Sequence, residues 1–115
     1  MISVLSTNIV SPLGVTTDEN YRAVRNGNSK LARYNDWRGI PEPFVASLFD
    51  ANQRKELHID GFTLFESIAI NSIHEALSKC AIEVDSPRTL FILSTTKANV
   101  DELDNEQYTS PGASA

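Results

Sequence analysis

Cys80, the imidazoles of His58 and His74, the Ser94-x-x-Lys97 pair and the Glu75/Lys79 pair are the side chains whose type and spacing invite chemistry. A cysteine attacks as the thiolate, a form that a helix N-terminus or a neighbouring cation stabilises. Cys80 falls instead in the last turn of a helical pattern and on its apolar stripe, so a structural role is expected. His58 and His74 have no second cysteine or close histidine to complete a zinc set, and no metal or cofactor is expected. His74, beside Glu75 and Lys79, reads as an exposed or capped imidazole, and His58 reads the same way. Ser94-x-x-Lys97 has the spacing by which a lysine activates a serine at a helix start. Here the serine ends a β-prone run, and the companion Ser-Asp-Asn and Lys-Thr-Gly motifs are missing. Glu75 and Lys79 are an i,i+4 surface pair, worth about 0.2–0.5 kcal/mol. No catalytic residue is assigned.

Charge narrows the partners further. The chain has 115 residues, 41% hydrophobic and 22% charged, with a formal net charge of -5. That balance belongs to ordinary globular proteins and argues against nucleic acid or an anionic membrane, whose binding needs a concentrated cationic surface. Against it stands a local basic bias, with Arg22, Arg25, Lys30, Arg33 and Arg38 facing only Asp36 in the same stretch. A solvated surface is the plain reading. Docking of an acidic partner through Arg22, Arg25 and Arg33 is the sharper one. No apolar run reaches the ~20 residues of a membrane span, and Met1 to Gly14 lacks the basic start and unbroken apolar core of an export signal. With a single cysteine, a reducing cytoplasmic setting fits.

These side chains need a frame. Ile2 to Thr7 reads as a strand leading into the turn Ser11-Pro12-Leu13-Gly14, where proline fixes φ and glycine permits a positive one. Thr16 and Glu19 form a capping-box pattern, and Asn26-Gly27 offers a left-handed stop, so a helix is predicted over 17–26. Residues 29–58 break every period because Gly39, Pro41 and Pro43 interrupt them. They read as irregular, with one short helix near Asn52. Phe62, Phe65, Ile68, Ala69, Ser72, Ile73, Ala76, Leu77 and Cys80 recur at helical spacing, which predicts a long helix near 60–80. Thr89 to Leu93 reads as a strand near 89–94, buried on both faces of a sheet. Beyond 99 the chain turns acidic, then rich in Ser, Pro, Gly and Ala, as a flexible tail over 100–115.

Asn8-Ile9-Val10-Ser11-Pro12-Leu13-Gly14, followed by Asn20-Tyr21-Arg22-Ala23-Val24-Arg25-Asn26-Gly27-Asn28-Ser29, resembles the start of β-ketoacyl-[acyl-carrier-protein] synthases. Those begin with a strand, a Ser/Thr-Pro-Leu-Gly turn and a short helix ending in a Gly-x-Ser step. Asp60-Gly61-Phe62-Thr63-Leu64-Phe65 with Glu75-Ala76-Leu77 looks like the family's long helix, and Arg88 to Thr95 like the strand after it. The resemblance covers residues 1–99. Ala81 departs from the family's helix-ending glycine, and Ser94-Thr95-Thr96-Lys97 from its glycine-rich strand exit, as in a divergent branch.

The resemblance implies an α/β chain forming the N-terminal fragment of a thiolase-like fold. It implies a 3-oxoacyl-ACP synthase parent that transfers an acyl group to a cysteine. That parent condenses the acyl unit with malonyl-ACP, with loss of CO2, in fatty acid or polyketide synthesis. The family's acyl-accepting cysteine, and the two histidines or histidine and asparagine that promote decarboxylation, lie further along its chain than residue 115. The fragment alone is therefore expected to be inactive. Acyl carrier protein and a second synthase-like subunit, as homodimer or heterodimer, are the implied partners. The alternatives are a non-catalytic interaction module and a partner subunit resembling a chain-length factor.

Overall fold

Thr16 starts the first helix, α1 (Thr17–Arg25), by accepting a hydrogen bond from the Glu19 N–H at 3.1 Å in this computed structural model, which describes residues 1–104. Only the hydroxyl half of the expected capping box forms there. The Glu19 carboxylate reaches one residue further and accepts from the Val15 N–H at 2.7 Å. The helix stops where Asn26-Gly27 predicts. Gly27 takes φ 73°, its N–H donates to the Val24 carbonyl at 3.0 Å, and the Asn28 N–H donates to the Ala23 carbonyl at 2.9 Å. These two bonds make a Schellman closure.

The segment read as irregular contains a hairpin. β1 (Leu31–Tyr34) pairs antiparallel with β2 (Phe44–Ser47), Leu31 opposite Ser47 and Tyr34 opposite Phe44. The Tyr34 and Phe44 rings stack at 5.6 Å, and Trp37 meets Tyr34 edge-on at 5.1 Å. Such cross-strand aromatic pairs stabilise a short ribbon whose backbone bonds are few. Asp36, Arg38 and Gly39 all have positive φ and turn the intervening loop.

The short helix expected near Asn52 is α2 (Ala51–Leu57), started by a reciprocal box between Asp50 and Gln53. The long helix is α3 (Leu64–Ser78), shorter at both ends than 60–80. Its start is set by a second reciprocal box between Thr63 and Glu66, with Gly61 at φ 85° in the preceding turn. Cys80 lies just past its end and is half-buried, its Sγ against the Ala76 carbonyl at 3.6 Å. α2 packs on α3 and β1 on β2, the two element pairs in contact among the described residues. Around them the apolar interior is small: among the described residues Leu57 is the one buried hydrophobic, at 6% exposure.

The architecture of the described residues is thus mixed α/β, with three α-helices, one two-stranded antiparallel sheet and a 3-10 helix (Val100–Asp104). Two compact units divide it, Met1–Ile82 and another beginning at Glu83. The strands expected near 2–7 and 89–94 do not form. A strand exists only where a neighbouring backbone accepts its bonds, and no such neighbour is paired with either segment among the described residues. Far from being buried on two faces, Leu90, Phe91, Ile92 and Leu93 are 60–81% exposed. Of the tail, the acidic start forms the 3-10 helix, and the stretch read as flexible lies outside the described residues.

Candidate functional site

A concavity sits in the first unit, against the Ser11-Pro12-Leu13-Gly14 turn. The turn is closed by the Gly14 N–H donating to the Ser11 carbonyl at 3.1 Å and the Ser11 N–H to the Gly14 carbonyl at 2.9 Å. The Ser11 Oγ accepts from the Leu13 N–H at 3.1 Å. Gly14 is required on steric grounds, because a Cβ there would stand 2.5 Å from the Glu19 Cβ.

Three amide side chains hold this turn in place. Asn20, buried on α1, donates through Nδ2 to the carbonyls of Ile9 (3.0 Å), Gly14 (3.1 Å) and Thr16 (2.8 Å). Its Oδ1 accepts from the Ser11 hydroxyl. Gln53 of α2 donates to the Pro12 carbonyl at 2.9 Å, and Asn8 donates to the Val15 carbonyl at 3.1 Å and to Ser72 Oγ of α3 at 3.0 Å. The turn is therefore tied to all three helices. An asparagine inside a helix is a weak helix former that favours local bonds to the backbone. At Asn20 that tendency is the signal pointing to the clamp, and the residue pattern alone passes over it.

Between the turn and the α2–α3 pair lies a cavity of about 270 Å3, its apolar wall formed by Val10, Phe49 and Leu57 and its polar wall by Glu56, Asn71 and Glu75. Asn71 spends its Nδ2 on the carbonyls of Leu57 and Ser67, both at 2.8 Å. The hydroxyls that reach the cavity, Ser11 and Thr16, are engaged in the turn and the helix cap. The lining thus offers carboxylates without a thiol, imidazole or cation to act with them. Such a wall can hold a polar group through its carboxylates and amides. A second hollow of about 330 Å3 lies beside the hairpin, against Tyr34, Trp37, Phe49 and Arg54.

No family model matches the chain, and neither a curated protein nor a solved structure matches it.

The side chains singled out for chemistry are scattered. His58 sits beyond α2, exposed, with its Nε2 3.3 Å from Asp60 Oδ1. His74 is exposed on α3. Glu75 and Lys79 make the expected i,i+4 contact at 3.3 Å. Ser94 stands in a segment without helix or strand, so Lys97 does not follow it along a helix turn. Instead, Thr95 Oγ1 caps the next turn by accepting from the Lys97 and Ala98 N–H groups. No group of three metal-ligating side chains converges among the described residues. Arg22 and Arg25 share α1, where Arg22 pairs with Asp18 at 2.9 Å, while Arg33 lies on β1, a strand that makes no contact with α1. No helix of the described residues is long and apolar enough to cross a membrane.

Proposed function

We propose that this chain is the N-terminal part of a β-ketoacyl-[acyl-carrier-protein] synthase-like condensing enzyme of thiolase type, working in the cytoplasm and without turnover of its own. The parent takes an acyl group onto a cysteine thiol supplied by later sequence. It then joins that group to a malonyl unit on acyl carrier protein, with release of CO2. A solvated surface is the plain reading of Arg22, Arg25 and Arg33, and docking of the carrier through them is the sharper one.

The observation that carries the reading is the state of the two β-prone segments that the family resemblance assigns to a sheet. Ile2, Val4 and Leu5 are 64–99% exposed and Leu90 to Leu93 are 60–81% exposed, with no strand partner for either segment among the described residues. Apolar segments of strand composition left open in this way are the ones a larger sheet would take up. The clamped Ser-Pro-Leu-Gly turn and the capped helix after it follow in the order in which the resemblance places them.

The test is the coding DNA beyond codon 115. The expected extension encodes a cysteine at the start of a helical pattern, followed by two histidines or a histidine and an asparagine. The full-length product then accepts a labelled acyl group from acyl carrier protein on that cysteine. A stop codon directly after Ala115, or an extension without the cysteine, overturns the catalytic proposal.

A further inference from the structure

We propose that Asn26-Gly27 is a site of spontaneous covalent modification, in which Asn26 loses ammonia through a cyclic imide, and that the closed end of α1 sets the rate. Asn26 is exposed at the C-cap, and the residue after it is a glycine with open space where a Cβ would stand. Asparagine is chemically labile, most of all where the next residue lacks a side chain to hinder ring closure. In that step the Gly27 amide nitrogen, its proton given to solvent, attacks the Asn26 Cγ. The N–Cγ bond forms, the Cγ–Nδ2 bond breaks, and Nδ2 leaves as ammonia with a proton from solvent. Water then adds to one carbonyl of the imide and breaks one of its C–N bonds. One opening gives an aspartyl residue. The other gives an isoaspartyl residue, in which the backbone runs through the former side chain.

The folded geometry opposes the first step. Ring closure needs the Gly27 nitrogen nearly eclipsed with the Asn26 Cβ, and ψ 3° at Asn26 holds it well away. Rotation into line breaks the Gly27 N–H bond to Val24 and the Asn28 N–H bond to Ala23. Reaction is thereby confined to moments when the last turn of α1 opens, a local event of low free energy at a helix end. Either product places a carboxylate at the negative end of the helix dipole, which disfavours the closed state. The isoaspartyl product also lengthens the backbone within the Schellman closure. Each conversion therefore loosens the helix end, and none reverses unaided.

The full chain is incubated at mildly alkaline pH, folded and in concentrated urea, and digested with trypsin. Cleavage after Arg25 and Lys30 isolates Asn26 from the rest of the chain, and fragmentation separates it from Asn28. The expected result is amide-to-acid conversion at Asn26, with an isoaspartyl share, proceeding in the folded chain but more slowly than in urea. Ala23→Gly weakens the last turn and should raise the folded rate about fivefold while leaving the urea rate unchanged. Equal rates with and without urea overturn the control by α1, as does an unaltered folded rate in A23G. Absence of conversion in the folded chain over many half-lives of the unfolded one overturns the site itself.

Discussion

Replacing Asn20 by alanine tests whether the polar clamp, rather than apolar packing, fixes the turn. The substitution removes the bonds to the Ile9 and Gly14 carbonyls and the acceptor for the Ser11 hydroxyl; the Thr16 carbonyl keeps the Asn20 backbone N–H at 3.2 Å. At about 1 kcal/mol net per bond the loss is about 3 kcal/mol. The better helix propensity of alanine returns about 0.6 kcal/mol, and water reaching the half-buried turn recovers part of the remainder. A net weakening of about 2 kcal/mol corresponds to roughly a thirtyfold rise in local opening. Amide hydrogen exchange at Ser11 and Gly14, whose N–H groups close the turn, reads this directly. Asn20→Asp should be at least as damaging near neutral pH, because it keeps the acceptor for Ser11 but sets a carboxylate against three carbonyl oxygens. Exchange at Ser11 and Gly14 unchanged within twofold in N20A would refute the clamp.

Gly14→Ala should displace Glu19 and release the Val15 N–H, seen as faster exchange at Val15 and lower helicity of α1 by circular dichroism. Thr63→Ala removes the hydroxyl half of the α3 box and should destabilise that helix by about 1 kcal/mol, measured by urea unfolding. Glu75→Gln at the partly exposed pair with Lys79 should change stability by less than about 0.5 kcal/mol in the same assay. Ile92→Lys should shift the chain toward monomer in sedimentation velocity, because a charge on an open apolar strand blocks edge pairing; an unaltered distribution counts against the open-segment reading.

Helix ends were the most legible features of the sequence because their signals are local. Thr16 and Asn26-Gly27 each act over one turn and lie where the structure uses them, and the 3.6-residue stripe places α3, although the side chain that helix buries is Ser67, off the stripe. The start of α3 at Leu64 was also written in the chain, in Thr63-x-x-Glu66, but the apolar stripe extends past it and hid the cap. The hairpin was hidden for another reason. Its pairing depends on Tyr34 meeting Phe44 across a loop with three positive φ values, two of them at Asp36 and Arg38, where composition gives little warning. The segments near 2–7 and 89–94 have strand composition without strand structure, since composition reports what a backbone favours and pairing requires a second backbone. The clamp stayed invisible because Asn8, Asn20 and Gln53 become neighbours only after the turn has folded.

Polar clamping and apolar cover do different jobs in this chain. Each hydrogen bond of the clamp exchanges a protein–water bond for a protein–protein one and contributes about 1 kcal/mol, whereas ordering one residue opposes folding by about 1–2 kcal/mol. The clamp therefore selects one geometry for the turn but does not offset the order it imposes. That offset comes from apolar burial at about 25 cal/mol per Å2, and among the described residues Leu57 is the one buried hydrophobic side chain while Ile2, Val4, Leu5 and Leu90 to Leu93 stand open. The polar geometry of the turn is thus closely specified, while the apolar surface of those two segments is little used. Cover added over the first of these segments should stabilise the clamped turn as well, because Asn20 joins the Ile9 carbonyl, just beyond that segment, to α1.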